Sequence, residues 1–448
     1  MKISLPKDVE YIINTLQRAG YEAYAVGGCV RDTILNREPD DWDITTSAKP
    51  MEIKKLFPVT IDTGIQHGTV TVLRNHVGYE VTTYRIDGEY ADNRHPKEVI
   101  FTASLKEDLL RRDFTINAMA YNHEDGIIDE YGGLNDISDG IIRCVGNPYD
   151  RFSEDALRIM RAVRFSAQLG YRIEEETSKA IVKLAPNLST ISAERINTEL
   201  TKLLLSPNPD YLRDACRLGI TRVVLPEFDK CMECEQVNPH HCYSVGEHTL
   251  HSLRFVPNDR VLRYTMLFHD FGKPDTRSVG EDGRMHFYGH PLVSERMASD
   301  IMHRLKFDND TLHAVKLLCR NHDLEIIEDK KHVRRAMNKL GSDNFSKLLM
   351  VKRADCMAQS DYKREEKLAS LDKLESIYNE IVSAKECVCM KDLAVCGRDL
   401  IDLGVKPGPA MGAILGKLLS KVIDEPSLND REVLLDMVKK LEYEQNNN

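Results

Sequence analysis

Residues 27–43 read GGCVRDTILNREPDDWD and hold two kinds of chemical equipment in one short stretch. Gly27 and Gly28 tolerate positive φ and close approach to the main chain, so their N–H groups suit a phosphate. Asp41 and Asp43 are two apart. On a strand that spacing turns both carboxylates to one face, and Tyr24, Ala25 and Val26 upstream, with Trp42 and Ile44 around the acids, read as strand sequence. Like charges that close repel unless a cation lies between them, which points to a divalent metal. A phosphate cradle beside a two-carboxylate clamp suits nucleotidyl transfer. An isolated Asp-x-Asp also occurs as a solvated turn, so a third acid matters. Glu80 sits in the run Tyr79–Arg85, which pairs in pattern with His67–Val72 around a break at 74–78. An acid in such a β-branched strand either completes the metal site or faces water on an edge.

Two further sets carry chemistry. The stretch RFSEDALR, residues 151–158, reads as the opening of a helix, with Ser153 as its cap and Glu154 and Asp155 in the first turn. Asp155 and Arg158, three apart, share a helix face and can form a surface ion pair. Later come His248, the adjacent pair His269-Asp270, then His290, His322 and Asp355. Neutral imidazoles with carboxylates are ligands for transition divalent ions. Cys231-x-x-Cys234 followed by His240, His241 and Cys242 offers a zinc alternative, but a second pair at finger spacing is missing.

The elements that must position these residues divide the chain. Residues 1–150 alternate strand and helix signals, and glycines at 132, 133 and 146 with Pro148 precede a change to helical periodicity at 3 and 4. The expected fold is an α+β head followed by all-α neck, His-rich and tail regions. The boundaries are 1–150 for the head, 151–230 for the neck, 231–360 for the His-rich region and 361–448 for the tail. At 448 residues the chain exceeds one core. A hydrophobic fraction of 42% and a charged fraction of 29% fit a globular protein. With no apolar run long enough to span a bilayer and no signal peptide, a cytoplasmic protein without a membrane partner is expected. Eleven scattered cysteines fit reduced thiols. A net charge of −10 excludes a uniformly basic coat, so a nucleic-acid partner needs a local patch, and Lys330–Arg335 is a candidate.

The GGCVRD start, the Asp-x-Asp and the later run RRDFTINAM, residues 111–119, resemble the class II tRNA nucleotidyltransferases of the polymerase β-type superfamily. These include CCA-adding enzymes and bacterial poly(A) polymerases. The resemblance implies a fold of that kind and the addition of C, C and A to a tRNA 3′ end from CTP and ATP without a template. It implies Mg²⁺ on Asp41 and Asp43, with Glu80 as the third catalytic acid. Ribose and triphosphate contacts would come from Arg111, Arg112, Asp113 and Asn117. Arg31, Arg161 and Arg164 join Gly27 and Gly28 in the nucleotide-binding set. It casts Asp155 and Arg158 as base readers. Cytosine and adenine both place an amino donor beside a ring-nitrogen acceptor, which a carboxylate and a guanidinium match. Guanine and uracil invert that order and leave buried groups unpaired, at roughly 1–3 kcal/mol each.

The charged run Arg85–Pro96 reads as a mobile loop, and resembles the family loop needed to pass from C to A addition. The bend VKPGPAMG, residues 405–412, resembles a tRNA-body contact. The ordered series His248, His269, Asp270 and Asp355, with His290 and His322 as further candidates, resembles the HD-type phosphohydrolases. That implies Ni²⁺, Mn²⁺, Co²⁺ or Fe²⁺ and a phosphatase or cyclic phosphodiesterase. Three alternatives stay open: A addition alone, poly(A) tailing, and an HD phosphohydrolase with a relic RNA-binding head.

Overall fold

The computed structural model describes residues 2–87, 99–236, 242–281 and 283–446. The chain forms two compact units, 1–229 and 230–448.

The first unit is built on seven strands: β1 (Ala23–Val26), β2 (Ile44–Thr46), β3 (Thr60–Gly64), β4 (Thr69–Arg74), β5 (Val77–Thr83), β6 (Ala120–Asn122) and β7 (Gly126–Ile128). They lie in the order β3-β4-β5-β2-β1-β6-β7. β2 runs antiparallel to β1 and parallel to β5. The helix Lys7–Arg18 buries Val9, Ile12, Ile13 and Leu16, spaced by 3 and 4, in one core with Ala23 and Ala25 of β1. Tyr24 and Val26 enter a second cluster with Tyr84, Leu109 and Ala120. β1 is therefore buried on both faces, which is why its sequence shows no polar alternation. Asn75 and His76, at φ 50° and 66°, close the β4–β5 hairpin in the left-handed pair that suits strand twist. The sequence-predicted α+β head followed by helices is the fold observed.

Several boundaries differ from the sequence reading. β2 begins at Ile44, so Asp41 and Asp43 lie on the segment leading into it rather than on the strand. Backbone pairing still holds the second acid, since the Val26 N–H donates to the Asp43 carbonyl at 3.0 Å. Glu80 does lie on a strand, but β5 is internal to the sheet rather than an edge. Ser153 caps no helix. Asn147 caps Pro148–Glu154, and a break at Asp155 separates it from Leu157–Leu169. Asp155 Oδ1 accepts from the Leu157 N–H at 3.0 Å, so this acid starts the second helix instead of sitting in its first turn. Arg85–Asp87 pairs with Val99–Phe101 as strand. The rest of the expected loop, Gly88–Pro96, lies outside the described residues.

The second unit is helical, its longer members being Val245–Leu253, Arg260–Phe268, His290–Arg304, Asn309–Asn321, Lys330–Leu340, Ser342–Ala358 and Arg364–Ser383, then Pro409–Asp424 and Arg431–Asn446. The basic stretch Lys330–Arg335 is not a free cationic patch. Arg334 is buried against the Ile423 carbonyl and Glu386. Lys331 and Arg335 pair with Asp424, and Lys330 with Glu380. The bend at the tail ends at Gly408, because Pro409 opens a helix that takes in Gly412 and Gly416. Cys231 and Cys234 are buried and all eleven cysteines are free. Among the described residues no metal-capable cluster contains a cysteine, and His240 and His241 lie outside them. Among the described residues no helix is long and apolar enough to cross a membrane.

Candidate active site and metal centre

Strand pairing gathers the first site. The end of β1 delivers Gly27, whose N–H donates to the Met119 carbonyl at 3.2 Å. The antiparallel neighbour begins beside it, which brings Asp43 to the same edge. The parallel pairing of Ile44 with Val81 then sets Glu80 next to Asp43. Gly27 has φ 86°, a conformation that favours glycine, and a Cβ there would lie 3.1 Å from Arg112 Nη1. Gly28 is ordinary in this respect and starts the helix Gly28–Ile34.

A cleft of about 640 Å³ is lined by Gly27, Gly28, Arg31, Asp41, Asp43, Arg112, Asp113, Asn117, Arg161 and Arg164. Ten residues expected from the sequence thus converge. Burial raises Asp43 to about 6, helped by Asp41 and Glu80 and opposed by Arg112. That is the signature of a carboxylate poised for a cation. Asp41 and Glu80 are exposed. The carboxylates of Asp41, Asp43 and Glu80 do not all close to within 4.8 Å of one another. A smaller hollow of about 240 Å³ on the β5 side is lined by Asp43, Glu80, Arg111 and Arg112.

Buried Asp113 organises the floor. It takes a two-pronged ion pair from Arg161, at 2.8 Å from Nε and 2.6 Å from Nη2. Asn117 Nδ2 donates to its other oxygen at 3.1 Å, and Arg31 Nη1 donates to Asn117 Oδ1 at 2.5 Å. Burial would raise the Asp113 carboxyl, but Arg161 and Asn117 hold it well below the usual carboxylate range. It is a fixed anion that orients two donors.

Asp155 and Arg158 do not pair with each other and do not line the cleft. Asp155 pairs with Arg195 at 2.7 Å. Arg158 is held by Glu154 at 2.5 Å and by the carbonyls of Arg151 and Arg111 at 3.0 and 2.9 Å. The last contact sets it against the Arg111–Asp113 run.

Three contributors escape sequence reading. Buried Asp108 takes Arg111 at 2.9 Å and Arg112 at 3.4 Å, and accepts from Thr45 at 3.1 Å, tying both arginines to β2. The Phe165 ring carries the Arg164 guanidinium 3.9 Å and the Arg31 guanidinium 4.9 Å from its centroid. Lys202, on the helix Ala193–Leu204, lines the cleft without any sequence signal. Phe165 was findable, since it follows Arg161 by one helical turn.

The second unit brings its expected residues together as completely. His248 Nε2 lies 2.8 Å from Asp355 and 3.4 Å from His269 Nε2. His290 Nε2 lies 3.1 Å from His322 Nε2. Asp270 joins the halves: one oxygen is 3.3 Å from His269 and 3.7 Å from His248, the other 3.3 Å from His290 and 3.6 Å from His322. Each imidazole points its Nδ1 at a backbone carbonyl: His248 at Ala358, His269 at Met266, His290 at Phe287 and His322 at Cys319. A carbonyl accepts only from N–H, so Nδ1 carries the proton and four Nε2 lone pairs converge on two carboxylates. Only cations reconcile that donor set. Burial would lower His269, but Asp270 and Asp355 hold it up at about 10. Lys273, which sequence reading passed over, is buried at 2.7 Å from Asp270 and 2.9 Å from Gln236.

Comparison with known proteins gives these geometries a family. Residues 23–143 match the poly A polymerase head domain. Residues 170–232 match the probable RNA and SrmB-binding site of polymerase A. Residues 290–438 match tRNA nucleotidyltransferase domain 2. A CCA-adding enzyme of Leuconostoc mesenteroides is 55% identical over 209 residues, 46% of this chain and 52% of that one. A CCA-adding enzyme of Limosilactobacillus reuteri is 37% identical over 97% of this chain and 96% of its own. The crystal structure of the Bacillus stearothermophilus CCA-adding enzyme in complex with CTP superposes with a TM-score of 0.73 at 29% identity, covering 99% of this chain and all of that one. Because the Limosilactobacillus match runs essentially end to end, through head, helices and tail alike, the chain belongs to the family of CCA-adding enzymes.

Proposed function

We propose that this chain adds C, C and A to the 3′ end of tRNA, taking CTP and ATP as substrates and no nucleic-acid template. The observation that carries the reading is the placing of Gly27 at the end of β1 and Asp43 just before β2 in one cleft with Arg31, Arg112 and Arg161, with Glu80 on the neighbouring β5 reaching Asp43 from the adjoining hollow. The transferase chemistry is divalent-metal dependent. Asp41 and Asp43, with Glu80 beside them, are the residues that fit Mg²⁺, because Asp43 ionises with difficulty until a cation relieves it. When bound, the ion supplies charge neutralisation at the α-phosphate and a more acidic 3′-hydroxyl. Arg111, Arg112, Asn117 and the main chain at Gly28 grip the triphosphate and ribose; the Gly27 N–H, expected to join them, is taken by the Met119 carbonyl. Arg161 and Arg164 shape the floor, and Asp155 with Arg158 reads the base edge. Residues 1–150 are then the catalytic head, 151–230 the base-reading neck and 361–448 the tRNA-holding tail. Replacing Asp41 or Asp43 by Ala abolishes addition while leaving tRNA affinity nearly unchanged, since phosphate contacts elsewhere supply it. Addition near the wild-type rate in both variants overturns the assignment. Sequencing products from tRNA lacking all three terminal nucleotides, lacking only the last, and complete separates CCA addition from A addition and poly(A) tailing.

A second activity is favoured by the convergence of four Nε2 atoms on Asp270, two of them also meeting Asp355. Residues 231–360 fit an HD-type phosphohydrolase centre. Two donor triads, His248 with His269 and His290 with His322, share Asp270 and suit Ni²⁺, Mn²⁺, Co²⁺ or Fe²⁺. Burial would raise the shared carboxyl, but His269 and then Lys273 outweigh it and hold the group well below the usual carboxylate range.

A further inference from the structure

The cavity in front of the histidine centre has a wall that the metal chemistry does not use. It encloses about 470 Å³ and is lined by Asp270, His290, His322 and Asp355 on one side and by His286 and Tyr288 on another. The ring of Tyr288 is 78% exposed, the most of any large hydrophobic side chain described. It is nevertheless ordered on His286: the planes are 6° from parallel, the centroids 5.2 Å apart, and the Tyr288 hydroxyl meets His286 Nδ1 at 3.3 Å. One face of this stacked pair is therefore presented to solvent. Two residues of chain, at most ~7 Å, separate it from His290. A nucleotide spans a similar distance between its base and its phosphate.

We propose that His286 and Tyr288 form a base-stacking platform, and that it makes the histidine centre select phosphates carried by a nucleoside over phosphates without a base. The proposal rests on the phosphohydrolase reading above and adds the determinant of its substrate class. Every nucleobase has a π-face, so such a platform is indifferent to base identity and sensitive to base presence. Buried Lys273, whose ammonium lies 5.6 Å from the Phe287 ring centroid, lines the same cavity and offers a fixed cation for the phosphate. Hydrolysis needs water alone: its oxygen forms the new bond to phosphorus, the ester oxygen leaves, and that oxygen takes up a proton.

The test uses the full-length chain loaded with Ni²⁺ or Mn²⁺, metal uptake being followed by calorimetry. Adenosine 2′,3′-cyclic phosphate and adenosine 3′-monophosphate are compared with glycerol 2-phosphate. Tyr288→Ala lowers kcat/KM for the nucleotides by roughly tenfold and leaves glycerol 2-phosphate unchanged, while Tyr288→Phe behaves as wild type. Independently of turnover, 8-azidoadenosine 3′-monophosphate photolabels the peptide containing Tyr288, and the label is lost in Tyr288→Ala. An oligoribonucleotide with a 2′,3′-cyclic end tells an RNA terminus from a free nucleotide by which of them depends more on Tyr288. Equal loss on all substrates, no loss on any, or labelling confined to the first unit overturns the platform alone. Absence of both metal uptake and hydrolysis in the wild type overturns the phosphohydrolase reading and the platform with it.

Discussion

At the scale of single residues, charge placed where it is uncomfortable marks the working groups. Asp43 is raised to about 6 by burial and by its acidic neighbours, against an ordinary 3.8. The folded chain therefore holds that proton more tightly than the unfolded one. From this group alone, stability is greatest below 3.8 and declines as pH rises through 6. Metal binding needs the ionised form, so nucleotide addition falls as pH drops through about 6 at limiting Mg²⁺. Raising Mg²⁺ moves that limb to lower pH. Rate–pH profiles at two Mg²⁺ concentrations check this, and a limb that stays put assigns the titration to some other group. Arg158 gives a second expectation. Its guanidinium is already held by Glu154 and two carbonyls, so under the proposed base-reading role it is oriented before nucleotide arrives. Arg158→Ala admits UTP and GTP, with discrimination falling by roughly tenfold or more, the worth of one unpaired buried donor. Competition assays with all four nucleotides measure it, and unchanged selectivity returns Asp155 and Arg158 to structural pairing.

At the scale of elements, the site depends on short irregular pieces fixed by packing. The 3₁₀ turn Thr115–Asn117 carries Asn117 into the cleft, and Gly133 backs it. A Cβ on Gly133 falls on the Thr115 carbonyl oxygen and on Met119. Gly133→Ala therefore costs about 2 kcal/mol by overpacking and pushes Asn117 away from Asp113 and Arg31. The expected result is a lower thermal midpoint with a raised KM for CTP and ATP. Wild-type KM values in the variant show instead that the turn does not position Asn117. Residue types foretold the strands here but not their ends. Asp41 and Asp43 read as strand because they alternate with Trp42 and Ile44, yet the strand starts only at Ile44. Ser153 read as a cap because the acids after it fit a first turn, yet Asn147 and Asp155 each hold a helix start. Local capping preferences are satisfied equally well by several neighbours, and packing picks one.

At the scale of the whole molecule, the two candidate sites belong to different units and share no residue. Carboxylates with arginines make one, suited to a hard ion and a triphosphate. Imidazoles around a shared carboxylate make the other, suited to softer divalent ions. His269→Ala or Asp270→Ala accordingly removes the proposed phosphohydrolysis and spares nucleotide addition, and Asp41→Ala does the reverse. Measuring both activities in all three variants across a metal series tests this. Loss of nucleotide addition in a folded His269→Ala chain shows that the sites are coupled.

The sequence by itself determined which chemistries are present. Gly27, the Asp41/Asp43 spacing, the 111–119 run and the histidine series are statements about side-chain types, and types do not change on folding. It determined the class of the fold as well, because a switch from alternating to helical periodicity is local. What the tertiary structure decided is adjacency. Glu80 joins Asp43 only because β5 runs parallel to β2 in one register, and a slip of one residue turns it to the other face. Asp108 and Lys202 enter the site from elements far apart in sequence, where no spacing announces them. Lys330–Arg335 looked like an RNA-binding face and proved to be neutralised by Glu380, Glu386 and Asp424. Charge is written in the sequence, but its partners are set by contacts between distant segments.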